Sequence, residues 1–292
     1  MDERNLRQFV NLADSLHFGR ASEASHVSPS ALSRNIRQLE EKVGTPLFER
    51  NNRSVALTHA GRIFLDYARD SLLQWDALRN RLMQEAGELR GEVSMYCSVT
   101  ASYSFLFELL NRFRDEHPHI EIKLHTGDPE DAVTRVQSGS EDIAIGARPD
   151  NLNQELAFKP IATTPLVFIA AQGGDYAELE KNRPARDAWS ATPMILSETG
   201  LARSRVDRWF TGQGIQPSIY AQVAGNEAIV SMVSLGFGVG VVPQIVLDNS
   251  PLAGRVRSLN VRPRLEAYEV GLFTQKKKLH SPLIGAFWSL LK

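Results

Sequence analysis

The chain is 292 residues long, carries 33 Lys and Arg against 34 Asp and Glu for a net charge of −1, and has one cysteine. That length accommodates two or three domains, each with its own core. A single cysteine excludes an intramolecular disulfide and fits a reducing compartment, and no segment approaches the ~20 apolar residues of a membrane span or follows a basic start as a signal peptide would, so a cytoplasmic protein is expected. Bulk charge does not announce a nucleic-acid partner, so any such signal must be local.

Residues 18–40 predict two short helices around a tight turn, the arrangement in which one helix presses its partner into the DNA major groove. Ser28 suits the N-cap and Pro29 the first helical position, where its missing N–H is no loss. Leu32, Ile36, Leu39 and Val43 then recur at four, three and four residues as one apolar stripe. Ser30, Ser33, Arg34 and Arg37 point the other way, toward phosphates and guanine edges. An ordinary amphipathic helix with a solvated charged face has the same pattern, and the next segment favours the groove reading. Residues 47–57 read as two short strands around Asn51-Asn52, with Arg50 and Arg53 at the tip of a wing that straddles the backbone. From His26 to Thr58 there are five Lys and Arg against three Glu, a weak basic patch. Glu40, Glu41 and Glu49 are read as lying away from the groove-facing side.

Ser28-Pro29-Ser30-Ala31-Leu32-Ser33-Arg34, Gln38-Leu39-Glu40-Glu41, Pro46-Leu47-Phe48-Glu49-Arg50 and Leu57-Thr58-His59-Ala60-Gly61 resemble, in this order, the N-terminal domain of the LysR-type transcriptional regulators. Ser25 departs from the pattern, standing where the family usually has a buried Leu or Met. The resemblance extends over the whole chain. Residues 17–20, 97–104, 225–233 and 275–284 carry a closer match to the branch that activates the acetohydroxy acid isomeroreductase gene. It implies a non-enzymatic activator of branched-chain amino acid biosynthesis, with Pro29, Ser30, Ser33, Arg34, Arg37, Arg50 and Arg53 on operator DNA. It also implies a homo-oligomer, dimer or tetramer, that contacts RNA polymerase and responds to a small anionic effector, acetolactate or acetohydroxybutyrate.

Thr58 is a plausible cap for a long helix with no proline before Gly87. Phe64, Ala68, Ser71, Trp75, Leu78 and Leu82 alternate spacings of four and three, a heptad seam. The seam either packs on its own chain or pairs with a second subunit, and the two-fold logic of DNA half-sites favours pairing.

Beyond Gly91, strands over 92–98, 119–126 and 142–146 alternate with helices over 101–116 and 129–138, which predicts a parallel α/β sheet. A second unit follows with strands over 166–170, 194–196, 219–223 and 239–242 and helices over 203–212 and 226–235. A final strand over 268–274 and helix over 281–290 return to the first unit. The fold class expected is a multidomain α+β chain: winged helix-turn-helix (1–58), long linker helix (59–90) and two-lobed α/β effector domain (91–292). Its lobes are 91–162 with 266–292, and 163–265. The resemblance implies the same periplasmic-binding-protein-like domain, with its ligand between the lobes.

Ligands of open α/β sheets sit beyond the carboxyl ends of the strands. Here Ser98, Thr100, Ala101 and Ser102 form a turn of hydroxyls and free N–H groups, read either as an anion seat or as simple capping. Other candidates are Thr126 and Gly127, Gly146 with Arg148, Arg203, Arg205, and Asn226 beside Glu227. An arginine there either grips a carboxylate or is merely solvated. No cofactor is expected: the seven histidines have no metal-site spacing. Residues 236–240 precede a strand rather than follow one, so they read as a helix stop, and Cys97 as a small buried residue. The alternatives are a LysR-type regulator answering a different small anionic effector, and an enzyme or solute-binding protein of the same two-lobed fold.

Overall fold

The computed structural model describes residues 2–50, 55–85, 89–181 and 186–291. The chain divides into two compact units, Met1–Gly87 and Glu88–Lys292.

In the first unit α1 (Glu3–Ser15), an element outside the predicted set, supplies Leu6, Phe9 and Leu12 to a core shared with the next two helices. Asp2 caps it by accepting the Asn5 N–H at 2.8 Å. α2 (Phe18–Ala24) and α3 (Pro29–Val43) form the helix-turn-helix. Ser28 Oγ accepts the Ala31 N–H at 3.2 Å and Pro29 opens α3, as the cap chemistry requires. Leu32, Ile36 and Leu39 are buried, but Val43, at the helix end, is exposed. The Ser25 hydroxyl accepts Asn11 Nδ2 at 3.0 Å, a polar tie in place of apolar packing.

β1 (Phe48–Arg50) and β2 (Val55–Leu57) pair antiparallel. The Asn51-Asn52 turn and Arg53 lie outside the described residues. Glu40 joins this ribbon to α3: its Oε1 accepts the Leu47 and Phe48 N–H groups at 2.9 and 3.0 Å, and its Oε2 the Arg50 guanidinium at 2.5 Å.

α4 (His59–Glu85) is capped by Thr58, whose Oγ1 accepts the Gly61 N–H at 2.8 Å. It packs back across α1, where Phe64 meets Phe9 edge-on at 4.8 Å and Arg7 pairs with Asp76 at 2.9 Å. The heptad seam therefore divides. Phe64 and Ala68 are buried in their own unit with Leu72, and Ser71 is half-buried. Trp75, Leu78 and Leu82 are 49%, 51% and 59% exposed, and Ile63 and Tyr67 continue that outer face.

The second unit holds two five-stranded sheets. The first takes the order β4-β3-β5-β12-β6, from β3 (Gly91–Cys97), β4 (Ile120–Thr126), β5 (Ile143–Ala147), β6 (Leu156–Thr164) and β12 (Tyr268–Gln275). β4, β3 and β5 run parallel, whereas β12 is antiparallel to both β5 and β6. The alternation of strands and helices predicted a fully parallel sheet, and the returning chain makes it mixed. β6 was not predicted; Pro160 interrupts its pattern and is tolerated because the strand lies at the sheet edge, with a register shift opposite it. α5 (Val99–Ser104) and α6 (Leu106–Glu116) replace one expected helix. Ser102 and Ser104 donate back to the Val99 and Thr100 carbonyls at 2.6 and 2.7 Å, a local competition that bends helices. α7 (Ala132–Ser138) covers this sheet.

The second sheet has the order β11-β7-β10-β8-β9, from β7 (Leu166–Ala171), β8 (Pro193–Ser197), β9 (Ser218–Val223), β10 (Val239–Pro243) and β11 (Val256–Ser258). It too is mixed, since β7 runs antiparallel to β10 and β11. Its helices are α8 (Arg186–Ala191), α9 (Gly200–Gln213), α10 (Asn226–Ser234) and α11 (Gln244–Asp248), and α12 (Pro282–Ser289) returns to the first sheet. α10 stops at Gly236, whose φ of +82° admits the left-handed turn predicted there.

Both central triplets repeat one topology. The chain leaves β3 for β4 on one side and returns for β5 on the other, and does likewise from β8 to β9 and β10. Each lobe thus has a switch point, the place where carboxyl ends of parallel strands leave a crevice. Because Glu40 satisfies two amides and a guanidinium at once, Glu40→Ala should destabilise the first unit by about 1.5–3 kcal/mol, checked by urea denaturation.

Candidate functional site

Two surfaces carry the chemistry. On α3, Ser30, Arg34 and Arg37 are exposed along the face opposite the buried Leu32–Ile36–Leu39 stripe, Pro29 is exposed at its start, and Ser33 is half-buried at the margin. Asn35 Nδ2 donates to the buried Gln8 side chain at 2.9 Å, which fixes the helix rotation against α1. Arg50 is not the open wing-tip cation anticipated. It pairs with Glu40, and its guanidinium lies 5.4 Å over the Phe18 ring. The glutamate it holds, read from sequence only as lying away from the groove-facing side, carries the wing.

The second surface is a cavity of about 480 Å³ between the two switch points. Ser98, Thr100, Ala101 and Gly146 line it from the first lobe, and Leu201, Asn226 and Val246 from the second. Ser98 caps α5, accepting the Ala101 N–H at 3.2 Å. Two carboxylates cross the gap in opposite senses. Glu227, in the first turn of α10, accepts the Thr100 N–H at 3.0 Å and the Thr100 hydroxyl at 2.5 Å. Glu130, from the first lobe, accepts the Leu201 N–H at the start of α9 at 3.2 Å. Gly200 makes room for it: its φ is +93°, and a Cβ there would lie 1.7 Å from the Glu130 carboxyl carbon.

Residues 4–62 match the model of the bacterial regulatory helix-turn-helix proteins of the lysR family, and residues 86–292 that of the LysR substrate binding domain. The chain belongs to the LysR family. It is 46% identical over its whole length to the HTH-type transcriptional activator IlvY of Salmonella typhimurium, covering 99% of that protein. It is 45% identical, with the same coverage, to the HTH-type transcriptional regulator IlvY of Escherichia coli K12. The fold is that of a full-length OxyR variant from Pseudomonas aeruginosa, at a TM-score of 0.73 and 22% identity, covering all of this chain and 94% of that one. The family is one of transcriptional regulators, not of enzymes.

For a LysR-family cleft, the predicted arginines are placed differently from the sequence reading. Arg203 donates to Asp207, to the Ser197 carbonyl and to Gln222. Arg205 is buried against the returning chain: it donates to the Glu266 carbonyl at 3.2 Å and to the Ala267 carbonyl, and stacks 5.4 Å from the Tyr268 ring. Arg148 pairs with Glu269 at 3.1 Å. None of the three lines the cavity, and neither do Ser102, Thr126 and Gly127. Ser102 spends its hydroxyl on Val99, and Gly127 lies against the Tyr96 hydroxyl. Cys97 is fully buried, which pushes its thiol up to about 11 and makes it inert.

The lining that sequence reading missed includes two acids, Glu130 and Asp150, and no Lys or Arg is among the described residues that form the wall. Burial, reinforced by Asp128 and Asp131 and opposed by the Leu201 N–H, pushes the Glu130 carboxyl up to about 7. Burial and the Glu130 charge likewise hold the Tyr268 hydroxyl above its ordinary range. Since the folded-state value of Glu130 exceeds the unfolded value of 4.5, its contribution to stability is fully present below about 4.5 and is lost as pH rises through about 7. Glu130→Gln should lack this loss, so its melting temperature should gain on the wild type between pH 5 and pH 8. Parallel melting curves for the two proteins across that range check the sign.

Proposed function

We propose that this LysR-family chain is an activator of a branched-chain amino acid biosynthetic gene, switched by a small carboxylate of the acetohydroxy acid class such as acetolactate or acetohydroxybutyrate. The observation that carries the reading is the union on one chain of an open Ser30–Arg34–Arg37 helix face with an interlobe cavity of small-molecule size, in a sequence alignable end to end with IlvY activators. About 480 Å³ falls in the range of ordinary ligand pockets. Ser98, Thr100 and Asn226 offer polar contacts while Ile145, Leu201 and Val246 offer apolar ones, a mixture suited to a short branched hydroxy-keto acid.

In this reading α3 enters the major groove of operator DNA, and the Arg34 and Arg37 forks reach base edges or phosphates. The apolar face of α4 that includes Ile63, Tyr67, Leu78 and Leu82 pairs with a second copy, bringing two recognition helices to two half-sites. RNA polymerase is the downstream partner of the assembled complex. Arg50, already held by Glu40 and Phe18, adds little to base reading.

Arg34→Ala should cost roughly 1–3 kcal/mol of operator binding, seen in a mobility-shift titration, whereas Arg50→Ala should change binding to all sequences alike. Acetolactate should raise the melting temperature of the wild-type protein. At a hundred-fold excess over its dissociation constant the gain is about 2.7 kcal/mol, while unrelated carboxylates leave it unmoved. No shift with any acetohydroxy acid would refute the effector class.

A further inference from the structure

The Thr100–Glu227 contact stands at a boundary. On one side is the interlobe cavity; on the other is a second cavity of about 500 Å³, lined by Val99, Thr100, Tyr103, Glu227, Val246 and Leu252 among others. Thr100 and Val246 line both spaces. Thr100 is 3% exposed, and both of its donors, N–H and hydroxyl, end on the same oxygen of Glu227. A carboxylate is therefore already in place on the donors that face the cavity. It belongs to the other lobe, so the contact is also a polar tie across the gap, as is that of Glu130 on Leu201.

We propose that Glu227 is a built-in competitor for the effector's carboxylate, and that displacing it is the step that couples ligand binding to lobe movement. This rests on the effector reading given under Proposed function. Two carboxylates cannot share the Thr100 donors, because like charges at hydrogen-bond range repel and the amide and hydroxyl each have one proton to give. The ligand thus binds only the form in which Glu227 has let go, and the cavity of about 500 Å³ beside it provides space for the released side chain. A ligand with that preference shifts the population toward the unlatched form, and its apparent affinity is reduced by the fraction of time the latch is closed. Glu227 then sets the effector concentration at which the switch responds.

The sign of one substitution separates this from the ordinary role of a cleft residue. If Glu227 is a competitor, full-length Glu227→Ala binds acetolactate at least about five-fold tighter than wild type, because a closed latch no longer has to be opened. Isothermal titration calorimetry reads that change. Glu227→Gln, a weaker acceptor of the same shape, should fall between the two and guards against a folding defect in the alanine variant. Without ligand, hydrogen exchange at the Thr100 amide should be faster in Glu227→Ala than in wild type, with exchange in β3 unchanged. Weaker or unchanged acetolactate binding in a folded Glu227→Ala protein overturns the proposal, as does unaltered exchange at Thr100. Acetolactate binding to neither protein counts against the effector class, and the latch then stands or falls on the exchange rates.

Discussion

Backbone amides at the facing edges of the two lobes need acceptors, and two of them find these in carboxylates of the opposite lobe. Glu227 reaches from α10 to Thr100, and Glu130 reaches from the first lobe to the start of α9. An unpaired buried donor costs ~1–3 kcal/mol, so these crossings bear directly on how the lobes sit together. One of them, Glu130, lines the cavity with Asp150, and no basic side chain is among the described residues of its wall. Favourable charge for an anionic ligand must then come from oriented N–H groups and hydroxyls, which hold a carboxylate without a counter-ion.

The arginines read from sequence as candidates for such a counter-ion hold the framework instead. Arg205 spans from α9 to the carbonyls of Glu266 and Ala267, just before the strand returning to the first sheet, and with Arg208 it meets Asp150 in the loop between β5 and β6 of the first lobe. This pins one lobe's longest helix to the returning segment that joins the lobes and to a loop of the first lobe. The cluster ties the lobes at the returning segment, while the two glutamates tie them across the cavity.

Much of the N-terminal unit was legible because its signals are local. Ser28, Pro29 and the Leu32–Ile36–Leu39 spacing act within four residues of one another, and a cap, a proline and a stripe agree on one helix. α1 has apolar spacing as good as that of α3 but no motif to draw attention to it. The α5–α6 break at Phe105 has neither glycine nor proline to mark it; it arises from serine hydroxyls that bond backward. The cavity wall was half legible. Ser98, Thr100, Ala101, Gly146 and Asn226 follow from the rule that ligands meet strand ends, which needs only the order of elements. Glu130 was beyond reach because its importance depends on Leu201, 71 residues away. Arg148, Arg203 and Arg205 were read for their charge, whereas their partners come from distant loops and strands.

Position 200 converts volume into charge. The Glu130 carboxyl group occupies the space where any side chain at Gly200 would begin. A single methyl group there would evict the acid toward water and remove the burial that raises its proton affinity. A steric change at an uncharged position would then act as an electrostatic one, adding a negative charge to the wall of the cavity. The proton affinity of this cleft is written in the one residue type that has no side chain.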